Sequence, residues 1–185
     1  MNQVLHTIAS RRSHRAYECK QLTEEQLQTL LTAAVQAPSA VNGQPWHFTA
    51  VQQEELLGEI NAACKETAMK MDASQRSPRF ADPEFDVFYH APTVIFLSAN
   101  PENGWAKLDC GIAVQTIALA AESMGLGSVI LGLPRMAFQT EQANELRRKL
   151  CFPENHDFMI AIAVGTPADD KEAHPVGENK IAIVK

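Results

Sequence analysis

The chain is short of positive charge, of paired cysteines and of long apolar runs, and each shortage closes off a class of function. It carries 16 Lys and Arg against 22 Asp and Glu, a formal net charge of -6. Sequence-independent nucleic-acid binding needs an extended basic surface, so no nucleic-acid partner is expected. No apolar run approaches the roughly 20 residues of a membrane span, and Met1 to His6 lack the basic start and apolar stretch of a signal peptide. The expectation is a cytoplasmic protein with no membrane partner. Cys19, Cys64, Cys110 and Cys151 are dispersed without a Cys-x-x-Cys pair, which speaks against a disulfide framework or a zinc site. The six histidines show no metal-ligand spacing, so His14, His47 and His90 read as incidental or locally hydrogen-bonded. Ser128 lies outside any Gly-x-Ser-x-Gly elbow. Gly125, Leu126 and Gly127 do not start a dinucleotide motif, because the third glycine position holds Ile130 and the order is helix to strand. They read as a helix cap.

What is present suffices for one packed domain spanning 1–185: 185 residues, 45% of them apolar. Val4, Leu5 and Ile8 fall on one face of a first helix. Thr23 and Gln26 form a capping box ahead of the stripe Leu27, Leu30, Leu31, Ala34, Val35, which Pro38 ends. A strand over His47 to Val51 precedes a helix carrying Leu56, Leu57, Ile60 and Cys64. Segment 72–92 mixes three prolines with Phe80, Phe85, Phe88 and Tyr89 and loses all periodicity; it reads as a surface loop or as a cap over a site. Thr93 to Ser98 reads as a buried strand, and Lys107 to Met124 as a helix apolar almost all round, hence buried in the core or in a subunit interface. Strands over Ser128 to Gly132, Phe158 to Gly165 and Ile181 to Val184 follow, with an amphipathic helix from Thr140 to Leu150. Arg147, Arg148 and Lys149 read as a solvated face of that helix. Without a regular βαβ rhythm, the class is α+β.

Two segments carry chemistry. Arg11, Arg12, Ser13, His14 and Arg15 pack three guanidinium groups and a hydroxyl into five residues, a set able to bind phosphate by charge-assisted hydrogen bonds. Alone, this is equally a solvated basic turn. The second segment, Pro38, Ser39, Ala40, Val41, Asn42, Gly43, Gln44, Pro45, Trp46, offers amide and hydroxyl groups beside a flat aromatic ring. Together they suit a phosphorylated, planar cofactor.

In these two motifs and their order the chain resembles the nitroreductase family of flavoproteins, with an Arg-Arg-Ser-x-Arg stretch at Arg11 to Arg15 and Pro-Ser-x-x-Asn-x-Gln-Pro-Trp at Pro38 to Trp46. The long apolar helix, the turn into Val129, Ile130, Leu131 and Gly132, and the late Gly165, Thr166, Pro167 extend the resemblance over nearly the whole chain. It implies a three-layer fold with a central, mostly antiparallel sheet flanked by helices. It also implies a homodimer binding FMN at its interface, with NADH or NADPH as electron donor and a nitroaromatic, quinone or other small planar acceptor, in ping-pong order. By the same resemblance Arg11 and Ser13 contact the FMN phosphate, Arg12 the ribityl or phosphate region, and Arg15 the pyrimidine edge. Pro38, Ser39, Ala40, Asn42 and Gln44 reach a flavin bound mainly by the other subunit, and the backbone at Leu131 and Gly132 serves the flavin N5. No side chain is expected to act as acid or base, since the flavin carries the chemistry. The family's basic pair near the C-terminus is reduced here to Lys171 and Lys180, with Lys180 the candidate for the phosphate site. Alternatives are a flavin-binding or sensory protein without turnover, and a specialised relative such as a reductive dehalogenase or flavin-fragmenting enzyme.

Overall fold

A computed structural model describes residues 2–185. Its framework is one four-stranded sheet of β1 (His47–Val51), β2 (Thr93–Ala99), β3 (Gly127–Leu131) and β4 (Asp157–Gly165), in the order β1-β2-β4-β3. All three strand pairings are antiparallel.

Side chains alternate across a strand, and β2 and β4 are apolar at both parities, so both faces of the sheet must be covered. Val94, Phe96, Ala161 and Ala163 point to one side, into a core shared with α3 (Glu54–Lys70) and the 3-10 turn Leu133–Gln139. Ile95, Leu97, Ile162 and Val164 point to the other side, where α2 (Glu24–Val35) and α4 (Ala106–Ser123) contribute Leu30, Ala34, Ile117 and Ala118. The molecule is therefore a three-layer α+β fold with the sheet in the middle. The helices α1 (Gln3–Ser10) and α5 (Ala143–Lys149) complete it.

Local signals place the ends of these elements. Thr23 accepts from the Gln26 amide at 3.2 Å while the Gln26 side chain accepts from the Thr23 amide at 2.9 Å, the reciprocal box that starts α2. At the end of α4, Gly125 takes φ +72°, and the amides of Gly125 and Leu126 return to the carbonyls of Glu122 and Ala121. Only glycine adopts this left-handed cap without steric penalty, which is why the helix stops there and β3 begins.

Three expectations need correction. Segment 72–92 does not carry its aromatic rings as a cap: Phe80, Phe85 and Phe88 are buried in the α3-side core, with Phe88 edge-on to Phe96 of β2 at 5.8 Å. Irregular backbone has few hydrogen bonds of its own, and these rings anchor it. Ile181 to Val184 forms no strand; its apolar side chains are exposed and no sheet edge of the same chain pairs with it. The helix expected over Thr140 to Leu150 starts only at Ala143, after the 3-10 turn Leu133–Gln139. Two cations of its last turn are paired: Arg147 reaches Asp157 at 3.0 Å, and Lys149 reaches Glu59 at 2.6 Å.

Candidate functional site

The basic segment begins where α1 ends. The Arg11 amide closes the last turn on the Thr7 carbonyl, and its ψ of 131° swings the chain into an extended arm running along the open edge of β3. His14 donates its amide to the Ser128 carbonyl at 3.0 Å, and Ser13 bridges Ser128 in parallel sense. Farther on, Glu18 donates to Thr166 and Ala168 donates to Ala16, both at 2.9 Å, while Tyr17 bridges Pro167. Gly127 allows this contact: a Cβ there would lie 2.9 Å from the Pro167 Cβ and 3.0 Å from that of His14.

A second set of bonds fixes the arm from behind. Asp169 accepts from His14 Nδ1 at 2.7 Å, from the Arg15 amide at 3.1 Å, and from Lys171 Nζ at 3.1 Å. Tyr17 donates its hydroxyl to the His14 carbonyl at 2.8 Å. Burial pushes the Asp169 carboxyl up, but the bonds from His14, Arg15 and Lys171 outweigh it and hold the group below the usual carboxylate range. Burial likewise pushes the Tyr17 phenol up, so it stays protonated and donating.

The cationic groups of the arm have few partners. Arg12 Nη1 bonds the carbonyls of Ala9 and Arg11 at 2.7 and 2.9 Å, yet its Nε is buried with no partner. Among the described residues the Arg11 guanidinium and the Ser13 hydroxyl make no hydrogen bond, and no carboxylate pairs with Arg11, Arg12 or Arg15. A buried donor without an acceptor is costly. An anion seated here would satisfy it.

Past Ser128 the edge of β3 is open. Ser128 aims its carbonyl outward at His14, and strand alternation turns the Ile130 peptide groups to that same uncovered edge. The same alternation directs Leu131 toward β4 and buries its side chain, whereas Gly132 is exposed at the strand's end.

The second motif is a self-braced knob. Ser39 Oγ accepts from the Gln44 amide at 3.0 Å, Gln44 Nε2 donates to Asn42 Oδ1 at 3.0 Å, and the amides of Asn42 and Gly43 return to Ser39 and Ala40. Val41, Asn42 and Gln44 all have positive φ, at 49°, 55° and 43°, and Val41 is 100% exposed. Such backbone costs non-glycine residues roughly 1–3 kcal/mol each and persists where the surroundings over-determine it. A tether from the core supplies part of that constraint: the buried Asp109 of α4 accepts from the Ala40 amide at 3.1 Å. Pro38 is exposed and makes the link from α2 into the knob.

The two motifs do not meet within one chain. The arm lies along β3 and the knob leads into β1, and these strands are opposite edges of the sheet. Three strand gaps of about 4.8 Å place the edges roughly 14 Å apart. Lys180 sits in the exposed tail with no hydrogen bond or ion pair to the arm, whereas Lys171 is tied to it through Asp169. A cavity of about 460 Å³ lined by Cys19, Gln21, Gln52, Asp86 and His90 includes no residue of either motif. Among the described residues no cluster suits a metal ion, and no helix is long and apolar enough to cross a membrane.

Sequence reading missed Asp109 and Asp169, and it took His14 as incidental. Only long-range contacts reveal their roles: Asp169 lies 155 residues from His14, and Asp109 lies 69 residues from Ala40.

Comparison with known proteins agrees with this geometry. A model described as the Nitroreductase family matches residues 8–166. A protein of Archaeoglobus fulgidus, provisionally named NADH dehydrogenase/NAD(P)H nitroreductase, is 36% identical over 93% of this chain and 90% of its own. A protein of Bacillus subtilis named FMN reductase [NAD(P)H] is 28% identical over 95% of this chain and 70% of its own. In crystal structures, a nitroreductase with bound FMN from Desulfitobacterium hafniense superposes with a TM-score of 0.95 at 34% identity, covering 100% of both chains. Another with bound FMN, from Bacteroides fragilis, gives 0.92 at 33% identity over 100% of both chains.

Proposed function

The chain belongs to the nitroreductase family, and from that premise we propose that it is an FMN-dependent oxidoreductase working as a homodimer with NADH or NADPH as donor. The observation that carries the reading is the set of unused donors on the arm. Arg11, the buried Arg12 Nε and the Ser13 hydroxyl lie within three residues without a carboxylate, which fits a phosphate dianion. Arg15, at the arm's far end, suits the pyrimidine edge, where positive charge favours the reduced, anionic ring. The Gly132 amide, beyond the open edge of β3, is the backbone donor for the flavin N5.

FMN held there would supply hydride acceptance from NAD(P)H and electron delivery to a nitroaromatic, quinone or similar small planar acceptor, in ping-pong order. The chain's own residues bind and orient. With the Ser39 hydroxyl accepting from Gln44, its O–H remains free to donate; with Asn42 Oδ1 engaged, its Nδ2 is free; and Gln44 keeps its Oε1 as acceptor. Because the knob lies across the sheet from the arm, these groups come from the second copy. Lys180 reaches a phosphate site only by way of its extended tail, and Lys171 is the cation tied to the arm.

The test is direct. The purified protein is expected to be yellow, or to become so with added FMN, and to oxidise NADH or NADPH when a quinone is supplied. A protein that shows no FMN binding by titration overturns the reading; one that binds FMN but does not oxidise either nucleotide is a flavin-binding protein without turnover.

A further inference from the structure

Tyr89 is the one aromatic residue of segment 72–92 that the core does not bury. Its backbone and that of His90 have positive φ, at 57° and 53°, a conformation that disfavours residues with a Cβ. The strain is held by Asp86, whose carboxylate accepts from the amides of Phe88 and His90 at 2.7 and 3.3 Å, while the Tyr89 amide donates to the Asp86 carbonyl at 3.0 Å. Phe88, buried against Phe96, fixes the turn from below.

The outcome is a ring with two cations within 6 Å of its centroid. Arg79 donates Nη1 to the Tyr89 hydroxyl at 2.7 Å, with its guanidinium carbon 5.9 Å from the ring centroid. The guanidinium carbon of Arg15 lies 5.8 Å from the same centroid. Among the described residues neither arginine has a carboxylate within ion-pair distance, although the chain has 22 acidic residues against 16 basic. Two like charges brought to one ring, on a strained turn and without counter-ions, are an arrangement that an anion stabilises.

We infer that Arg79, held by Tyr89 on the ring it shares with Arg15, forms an oxyanion site that selects substrates carrying a carboxylate or phosphate. The site is separate from the Arg11, Arg12 and Ser13 donors, and its role as a specificity element rests on the function proposed above. Arg79 is the discriminating residue, since Arg15 serves the pyrimidine edge of the flavin and stays engaged there in the FMN-saturated protein. The oxyanion has two sources, a carboxylate on the acceptor or the 2′-phosphate of NADPH.

Binding calorimetry on the FMN-saturated protein tests this without relying on turnover. Benzoate is compared with benzamide, and adenosine 2′,5′-bisphosphate with adenosine 5′-monophosphate, for the wild type, Arg79→Gln and Arg79→Lys. At least one anionic probe is expected to bind about tenfold tighter than its counterpart, with the preference lost in Arg79→Gln and largely restored in Arg79→Lys. Loss confined to benzoate assigns the site to the acceptor, and loss confined to the bisphosphate assigns it to the donor. No preference in the wild type, or a preference unchanged in Arg79→Gln, overturns the inference. Arg79 is exposed, so its variants should melt with the wild type. NAD(P)H oxidation, measured separately, reports on the general function: a protein lacking it but keeping an Arg79-dependent preference has the oxyanion site without the proposed turnover.

Discussion

At the scale of single residues, Arg11 and Asp169 act on one ligand in different ways, and FMN and riboflavin separate them. Arg11 carries an unpaired guanidinium on the outer side of the arm, so Arg11→Ala removes a charge-assisted phosphate contact of about 1.5–3 kcal/mol. FMN affinity should fall about tenfold or more while riboflavin affinity holds; equal losses would show that Arg11 does not touch phosphate. Asp169 spends its carboxylate on the arm, positioning it through His14, the Arg15 amide and Lys171. In Asp169→Asn both flavins should weaken together, by about 1 kcal/mol or roughly fivefold, because the whole arm shifts. The same bonds set a pH dependence. The Asp169 carboxyl is held below the usual carboxylate range in the fold, so its stabilisation is complete above its unfolded-state pKa and is lost as pH falls through the lowered folded value. Melting temperatures of wild type and Asp169→Asn should therefore differ at neutral pH and converge in that acid range. A gap that persists in strong acid would mean that the carboxylate's charge is not what holds the arm.

Elements whose signals are local could be read from the sequence. The capping box of α2, the left-handed Gly125 after α4, and the two-parity apolar runs of β2 and β4 each sit within a few residues of the structure they specify. The arm and the knob were likewise visible as motifs, because their chemistry is concentrated in five and nine consecutive residues. Illegible were the pieces fixed by distant partners: the Asp109 tether, the Asp169 bonds, and the fate of segment 72–92. Three prolines and four aromatic residues there, with neither helix nor strand periodicity, leave a surface loop and a cap equally open. Packing decided otherwise. Phe80 stacks edge-on to Phe85 at 5.3 Å and Phe88 to Phe96 at 5.8 Å, inside the core, which makes the segment a structural wall with only Tyr89 left at the functional side. Phe88→Ala should accordingly cost about 3–5 kcal/mol in urea unfolding, the penalty for deleting a buried ring. A loss below about 1 kcal/mol would return the segment to the role of a loosely held cap.

The whole molecule leaves apolar side chains uncovered as one chain. Val4, Leu5 and Ile8 on α1 and Leu108 on α4 are each more than half exposed, and Val176, Ile181, Ile183 and Val184 of the tail are 78–96% exposed. Apolar surface of this extent marks an interaction face. The apolar character of α4 is explained only in part by the core, which takes Cys110, Val114 and Ile117 but leaves Leu108 outside. In the proposed homodimer a second copy would cover such a face by twofold symmetry and bring the knob of one chain toward the arm of the other, since the two motifs lie at opposite sheet edges of a single chain. Mixing two impaired variants, assayed at FMN concentrations too low to fill a damaged site, tests this arrangement. Arg11→Ala damages the arm and Asn42→Ala damages the knob, so each homodimer has two defective sites. If sites are shared, a heterodimer gathers both lesions into one site and leaves the other intact, and co-refolding equal amounts should restore about a quarter of wild-type activity when chains pair at random. If each site is built from one chain, every site in the mixture keeps a lesion and no activity returns, which would sink the shared-site arrangement while leaving the dimer itself to be judged by its mass in solution.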